Sequence, residues 1–295
     1  MKRFFRKMQK ISESYFVSLP KSWISQFALD KNSTVAIDIR SDGCLIINPK
    51  IKEEGKPEEE IVLTMIKTTP KDIVKNSLLG IEKIVVISDK KIEPNILQQI
   101  KFVIDRLPNT EIIEQSDQRI EIHNFDIGNV PTRKLIRRLF NLAEDMFENI
   151  RNDKKNELKS NYNNLRKFYY ILVTHTRMYF RTGIYVSEDL DITPLEILDY
   201  RTICYSIEKI GVILLHFQLS EGVEGFFRKV ESYFGEIIDA FLNNDSEKSF
   251  SLWFERDKLI KEAEQLMKNL EYDDVDRLKD LVMIAHNCRD ITYFM

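Results

Sequence analysis

From Pro131 onward, apolar side chains return every three or four positions for the rest of the chain. Leu135, Leu139, Leu142, Met146 and Ile150 lay one apolar stripe along a helix face. Similar stripes run through Leu165 to Phe180, Ile197 to Leu219, Phe226 to Leu242, Phe250 to Leu270 and Val275 to Tyr293. Breaks are predicted at Gly183, Gly222 and the Asn243-Asn244-Asp245 cluster. A striped helix must bury its stripe against another element, so residues 129–295 are predicted to form an all-α helical bundle. Composition agrees: 9 glycines and 8 prolines in 295 residues are about half the usual share, which disfavours a fold built from tight β-turns.

The amino-terminal residues carry a different pattern. Strands are predicted over Phe5 to Ile11 and Tyr15 to Leu19, around a Ser12-Glu13-Ser14 turn. Pro20 starts a short helix with Trp23, Ile24 and Phe27 on its apolar face. Two further strands, Val35 to Ile39 and Cys44 to Asn48, flank Arg40-Ser41-Asp42-Gly43, whose Asp-Gly pair signals a hairpin. A hairpin-rich segment of this size, residues 1–51, buries little by itself, so dimerisation through a second copy is expected. Residues 52–60 hold no apolar side chain and read as a linker. Residues 61–128 then read β-α-β-α-β-β, a small α/β domain with strands Ile61 to Lys67, Ile84 to Ile87, Glu111 to Glu114 and Arg119 to His123. Its helices are Lys71 to Leu79, ended by Gly80, and Pro94 to Leu107, with Ile96, Leu97, Ile100, Val103, Ile104 and Leu107 inward.

Charge is distributed unevenly. The net charge is −3, yet Lys2, Arg3, Arg6, Lys7, Lys10 and Lys21 face only Glu13 in the first 24 residues, a local +5. Ile210 to Ser220 is a long uncharged run of only 11 residues, where a membrane-spanning helix takes about 20. Glu13 interrupts the basic start before an apolar signal segment develops, so no secretory signal is expected and a cytoplasmic location is. Cys44, Cys204 and Cys288 lack metal-ligand or disulfide spacing.

The segment Arg6-Lys7-Met8-Gln9-Lys10, then Ser14-Tyr15-Phe16-Val17-Ser18-Leu19-Pro20-Lys21-Ser22-Trp23, resembles the AbrB/SpoVT swapped-hairpin family. That family joins a basic strand to an apolar strand closing on Ser-Leu-Pro-Lys-x-Trp. Its later Leu-x-x-Gly-Asp-x-Val appears as Leu29 to Val35 with Asn32 in place of glycine, a residue that tolerates the left-handed conformation. The resemblance implies a dimeric swapped-hairpin β-barrel presenting Lys2, Arg3, Arg6, Lys7 and Lys10 to DNA. Cations that neutralise phosphates release condensed counterions, which fits a basic patch doubled in a dimer. The same cations also serve to solvate an edge strand.

Leu198-Asp199-Tyr200-Arg201 followed by Tyr205-Ser206-Ile207-Glu208-Lys209-Ile210-Gly211 extends the resemblance to archaeal PhoU-like phosphate-uptake regulators. These join an AbrB-like module and a small α/β segment to a PhoU helical bundle, an α+β multidomain architecture. The family's bundle binds metal clusters through paired carboxylates. Here Val212 occupies the place of the aspartate that follows Glu208, and Arg166 stands in Asn164-Leu165-Arg166-Lys167-Phe168 where another ligand aspartate is expected. The iron or zinc cluster is therefore expected to be absent or incomplete. Asp257, His286 and Asp290 remain as residual metal candidates, the last two four apart on one helix face, against the simpler reading of a surface ion pair.

No phosphate-loop, dinucleotide, zinc-protease or serine-elbow string occurs, and His123, His175, His216 and His286 are scattered, so no enzymatic activity is expected. Phe168, Tyr169, Tyr170, Tyr179 and Phe180 read as bundle core. The expected function is a homodimeric, DNA-binding regulator of phosphate uptake whose bundle senses or docks. The alternative is an adaptor that dimerises through its amino-terminal module and docks on a phosphate-transporter ATPase or another regulator without touching DNA. A helical metalloprotein is the third reading.

Overall fold

Gln9–Ile11 (β1) and Ser14–Phe16 (β2) pair antiparallel with Ile11 opposite Ser14, so Ser12 and Glu13 form a two-residue loop. Ser12 takes φ 55° at its first position, the positive φ of turns whose twist matches that of the flanking strands. The structure, a computed structural model, describes residues 4–39, 43–49, 59–125, 130–182 and 192–294. These fall into two units, Met1–Pro57 and Glu58–Met295.

In the first unit the paired strands are shorter than the alternation predicts. Pairing stops at Gln9 opposite Phe16. Pro20 leads into Lys21–Gln26 (α1), where the Trp23 and Phe27 rings lie 5.4 Å apart. The left-handed residue is Ala28, at φ 51°, and not Asn32. Asp30 makes that turn another way: its Oδ1 accepts from the Asn32 N–H at 2.9 Å and from the Ser33 hydroxyl at 3.0 Å, an Asx turn needing no positive φ at Asn32. Ala36–Ile39 (β3) and Leu45–Asn48 (β4) form a second antiparallel hairpin, with Gly43 at φ 79°. The preceding turn residues Arg40, Ser41 and Asp42 lie outside the described residues. Among the described residues of this unit, the strands make two separate two-stranded sheets and no side chain is buried.

The second unit begins with Glu60–Thr64 (β5); the predicted linker up to Glu58 lies outside the described residues. Thr69–Ser77 (α2), Lys83–Ile87 (β6), Pro94–Ile104 (α3), Thr110–Gln115 (β7) and Arg119–Asn124 (β8) follow in the expected order. The sheet runs β5-β6-β8-β7, parallel between β5 and β6 and antiparallel elsewhere. Alternation sends Ile84, Val86, Ile120 and Ile122 into a core with Ile73, Ile100 and Ile104. On the other face Glu121 accepts from His123 at 2.8 Å, from Arg119 and from Lys83 at 3.3 Å, and these bonds, that from His123 most, hold its carboxyl down to about 2. Leu107 is buried as expected. With Leu78 it packs into the helical core and not under the sheet. Gly80, at φ 74°, ends α2 against Met178, whose sulfur would lie 2.7 Å from any added Cβ.

Among the described residues six helices follow: Thr132–Arg151 (α4), Lys155–Thr182 (α5), Pro194–His216 (α6), Glu221–Leu242 (α7), Ser246–Leu266 (α8) and Tyr272–Thr292 (α9). α4, α5 and α6 pack together, as do α7, α8 and α9, and α6 against α9 and α4 against α7 join the two sets. Gly183 is outside the described residues, and Gly222 sits inside the first turn of α7, so that break falls at 217–220. Asn243 to Asp245 breaks the chain as predicted, with Asn244 at φ 51° and Asp245 capping α8 by accepting from the Lys248 N–H at 2.9 Å. Thr193 and Glu196 form a reciprocal capping box at α6. Of the aromatic set, Tyr169 and Tyr179 are buried, Phe168 and Tyr170 flank the core, and Phe180 is exposed.

Phe147 is fully buried between Phe227 and Phe234, each 5.5 Å away by ring centroid, and so clips α4 to α7. Phe147→Ala is expected to cost about 3–5 kcal/mol of stability, read as a lower urea midpoint by circular dichroism.

Candidate functional site

The basic hairpin strand is exposed throughout its described part. Arg6, Lys7 and Lys10 all face solvent, while Lys2 and Arg3 lie outside the described residues. Arg6 donates one Nη1–H to the Phe5 carbonyl at 3.1 Å and sits 5.7 Å from the Phe4 ring, and Lys10 lies 6.0 Å from the Tyr15 ring. The cations are thus interleaved with aromatic side chains on one hairpin.

In the bundle, the motif of Leu198 to Gly211 lies on α6. Ile207, Ile210 and Gly211 are buried, and a Cβ on Gly211 would meet the Leu165 methyl at 3.2 Å, so glycine lets α5 and α6 approach closely. That approach brings Tyr162 and Arg166 of α5 beside Glu208 of α6. The Tyr162 hydroxyl donates to Glu208 at 3.4 Å, and the Arg166 guanidinium lies 5.8 Å from the Tyr162 ring. Burial raises the Glu208 carboxyl, against the opposing pull of Lys209, Tyr162 and Arg166. Val212 packs on the hydrophobic core and supplies no ligand. Arg106, which the sequence pattern does not single out, adds a second cation: burial and then the neighbouring Arg166 push its guanidinium down. Two guanidiniums and one carboxylate do not suit a metal cluster, whose charge the arginines repel.

The residual metal candidates fare similarly. Asp257 pairs with Arg256 at 2.5 Å and Asp290 with Arg289 at 3.2 Å. Burial, then Arg256 and Arg289, lower the His286 imidazole, and Asp290 and Asp257 oppose them weakly. The structure therefore brings Asp257, His286 and Asp290 to one neighbourhood but adds an arginine to each aspartate. Among the described residues no group of three or more His, Cys, Asp or Glu forms a metal-ligand set. Arg256 and Arg289 were missed in the sequence. Their signal was the Arg-Asp dipeptide repeated on α8 and α9.

Compared with known proteins, the chain matches no family model, no curated protein and no solved structure. No helix among the described residues is long and apolar enough to cross a membrane.

Two outcomes follow from these charges. The native state holds the Glu208 proton more tightly than the unfolded chain, so stability is lost as pH rises through the carboxylate range. Glu208→Gln removes that loss: the urea midpoint rises at pH 7 and stays unchanged at pH 4. Metal analysis of the purified protein is expected to find iron and zinc well below one per chain, with EDTA leaving the melting temperature unchanged.

Proposed function

We propose that this chain is a DNA-binding regulator of phosphate uptake. It acts as a dimer through its amino-terminal hairpins, with the helical bundle as sensor or docking domain. The reading is carried by one observation: Arg6, Lys7 and Lys10 stand exposed on a hairpin that buries nothing by itself. Phe5 is 83% and Ile39 72% exposed, more apolar surface than a module of this size leaves to water. A second copy that swaps its hairpins against these faces would close the AbrB-like barrel and double the positive patch. Phosphates of duplex DNA then meet two basic strands related by the dimer axis. The link to phosphate uptake comes from the resemblance of the Leu198 to Gly211 motif and from the order of hairpins, α/β segment and helical bundle. In this reading the bundle biases the dimer, which requires its ligand to bind two arrangements with different affinity.

The adaptor reading draws support from Phe250 and Phe254. These exposed residues stand one turn apart on α8 with ring centroids at 5.2 Å, a surface suited to a protein partner.

Fluorescence anisotropy with promoter duplex from the same genome, over a salt series, separates the two. A DNA-binding dimer gives a steep slope of log affinity against log salt. Replacing Arg6, Lys7 and Lys10 together by Ala flattens that slope by about 0.9 for each phosphate left without its cation. Indifference to DNA at low salt leaves the adaptor.

A further inference from the structure

α8 and α9 pack antiparallel. The Ser249 hydroxyl reaches the Thr292 carbonyl at 3.3 Å, and the Trp253 and Tyr293 rings meet edge to face at 4.2 Å. One turn further along α8, this register sets Arg256 opposite the segment of α9 that carries His286 and Arg289. Both arginines are drawn inward, with side chains only 16% and 22% exposed. The Arg289 guanidinium also lies 5.4 Å from the Tyr293 ring.

The hydrogen bonding of these two arginines is incomplete in the same way. Each gives a terminal nitrogen to the half-exposed aspartate that follows it in sequence, Asp257 or Asp290. Each also keeps a buried Nε–H with no acceptor. Buried donors without acceptors are rare and costly. The existing pairs do little to offset that, because an ion pair to a half-exposed carboxylate contributes little. A guanidinium satisfies Nε–H and one terminal N–H together when it meets two oxygens of the same oxyanion side on. Neither Nε–H is bonded to the other polar groups nearby. The Tyr233 hydroxyl from α7 donates to the Leu252 carbonyl at 2.9 Å, and Glu255 pairs with Lys258 at 2.7 Å. Burial and then both arginines lower the His286 imidazole, which favours its neutral form with one ring N–H to donate.

We propose that the α8–α9 face binds a tetrahedral oxyanion of phosphate size, held by Arg256 and Arg289 with the His286 imidazole beside them. On binding, each guanidinium turns from its own aspartate to the ligand, and Asp257 and Asp290 are released to solvent. The site is an anion site where the family resemblance implies a metal cluster. It supplies the ligand that the sensing role lacks. It rests on that role only for its biological sense, since its geometry involves neither DNA nor the amino-terminal hairpins.

The test is calorimetric titration of the full chain with inorganic phosphate and with sulfate at constant ionic strength, with sodium chloride as control. The expected result is saturable binding of phosphate beyond the chloride effect. Arg256→Gln and Arg289→Gln should each weaken it by about tenfold or more, the worth of a charge-assisted hydrogen bond. Asp290→Asn removes the competing carboxylate and should tighten phosphate binding several-fold. If the arginines only pin α8 to α9, Asp290→Asn leaves phosphate affinity unaltered; that variant decides the matter even where the arginine variants fail to fold. No saturable binding beyond chloride, or binding indifferent to both arginine variants, overturns the proposal. Neither result touches DNA affinity, so failure of the oxyanion site and failure of the DNA-binding reading register in separate experiments.

Discussion

The burial of α6 on several sides is the constraint from which the second unit is built. Ile203, Ile207, Ile210 and Leu214 are fully buried, and the helix packs on α4, α5 and α9 at once. A helix apolar nearly all round has no stable surface position, so it becomes the central member and the others take one-sided roles around it. Gly211 allows a close approach of α5, whose Leu165 methyl would lie 3.2 Å from an added Cβ. The polar residues that α6 does carry, Glu208 above all, are consequently forced against α5. The raised Glu208 carboxyl is a by-product of packing the helix that holds it.

Charge placement follows the same logic. Arg166 lies beside Glu208, and Arg256 and Arg289 lie beside Asp257 and Asp290. In each place a cation stands beside the carboxylate. Carboxylates brought together without a cation repel one another, and the energy is relieved by a metal ion or by a guanidinium. This chain supplies the guanidinium.

The two units solve the burial problem differently. The second closes a continuous core from Leu78 and Leu107 through all six helices. The first exposes most of its described apolar side chains along two short hairpins, which by themselves bury too little for independent stability. Its electrostatics are nonetheless set locally, because Arg6, Lys7 and Lys10 fall within five consecutive positions.

Much of the fold was legible because its signals are local. Helical stripes report the proximity of residues three and four apart, strand alternation reports a period of two, and the Asn243 to Asp245 cluster reports a helix end through its own backbone. Those signals determined the element order, the six helices and the basic hairpin. Local propensity also misled where a neighbour overrode it: Asp30 closes the turn assigned to Asn32, and Gly222 is absorbed into α7. Only the tertiary structure decided that Arg256 and Arg289 both lie near His286 with buried Nε–H donors left without acceptors. They stand on separate helices whose register depends on the connection after Leu266, and no periodicity along a single chain encodes the distance between two helix faces.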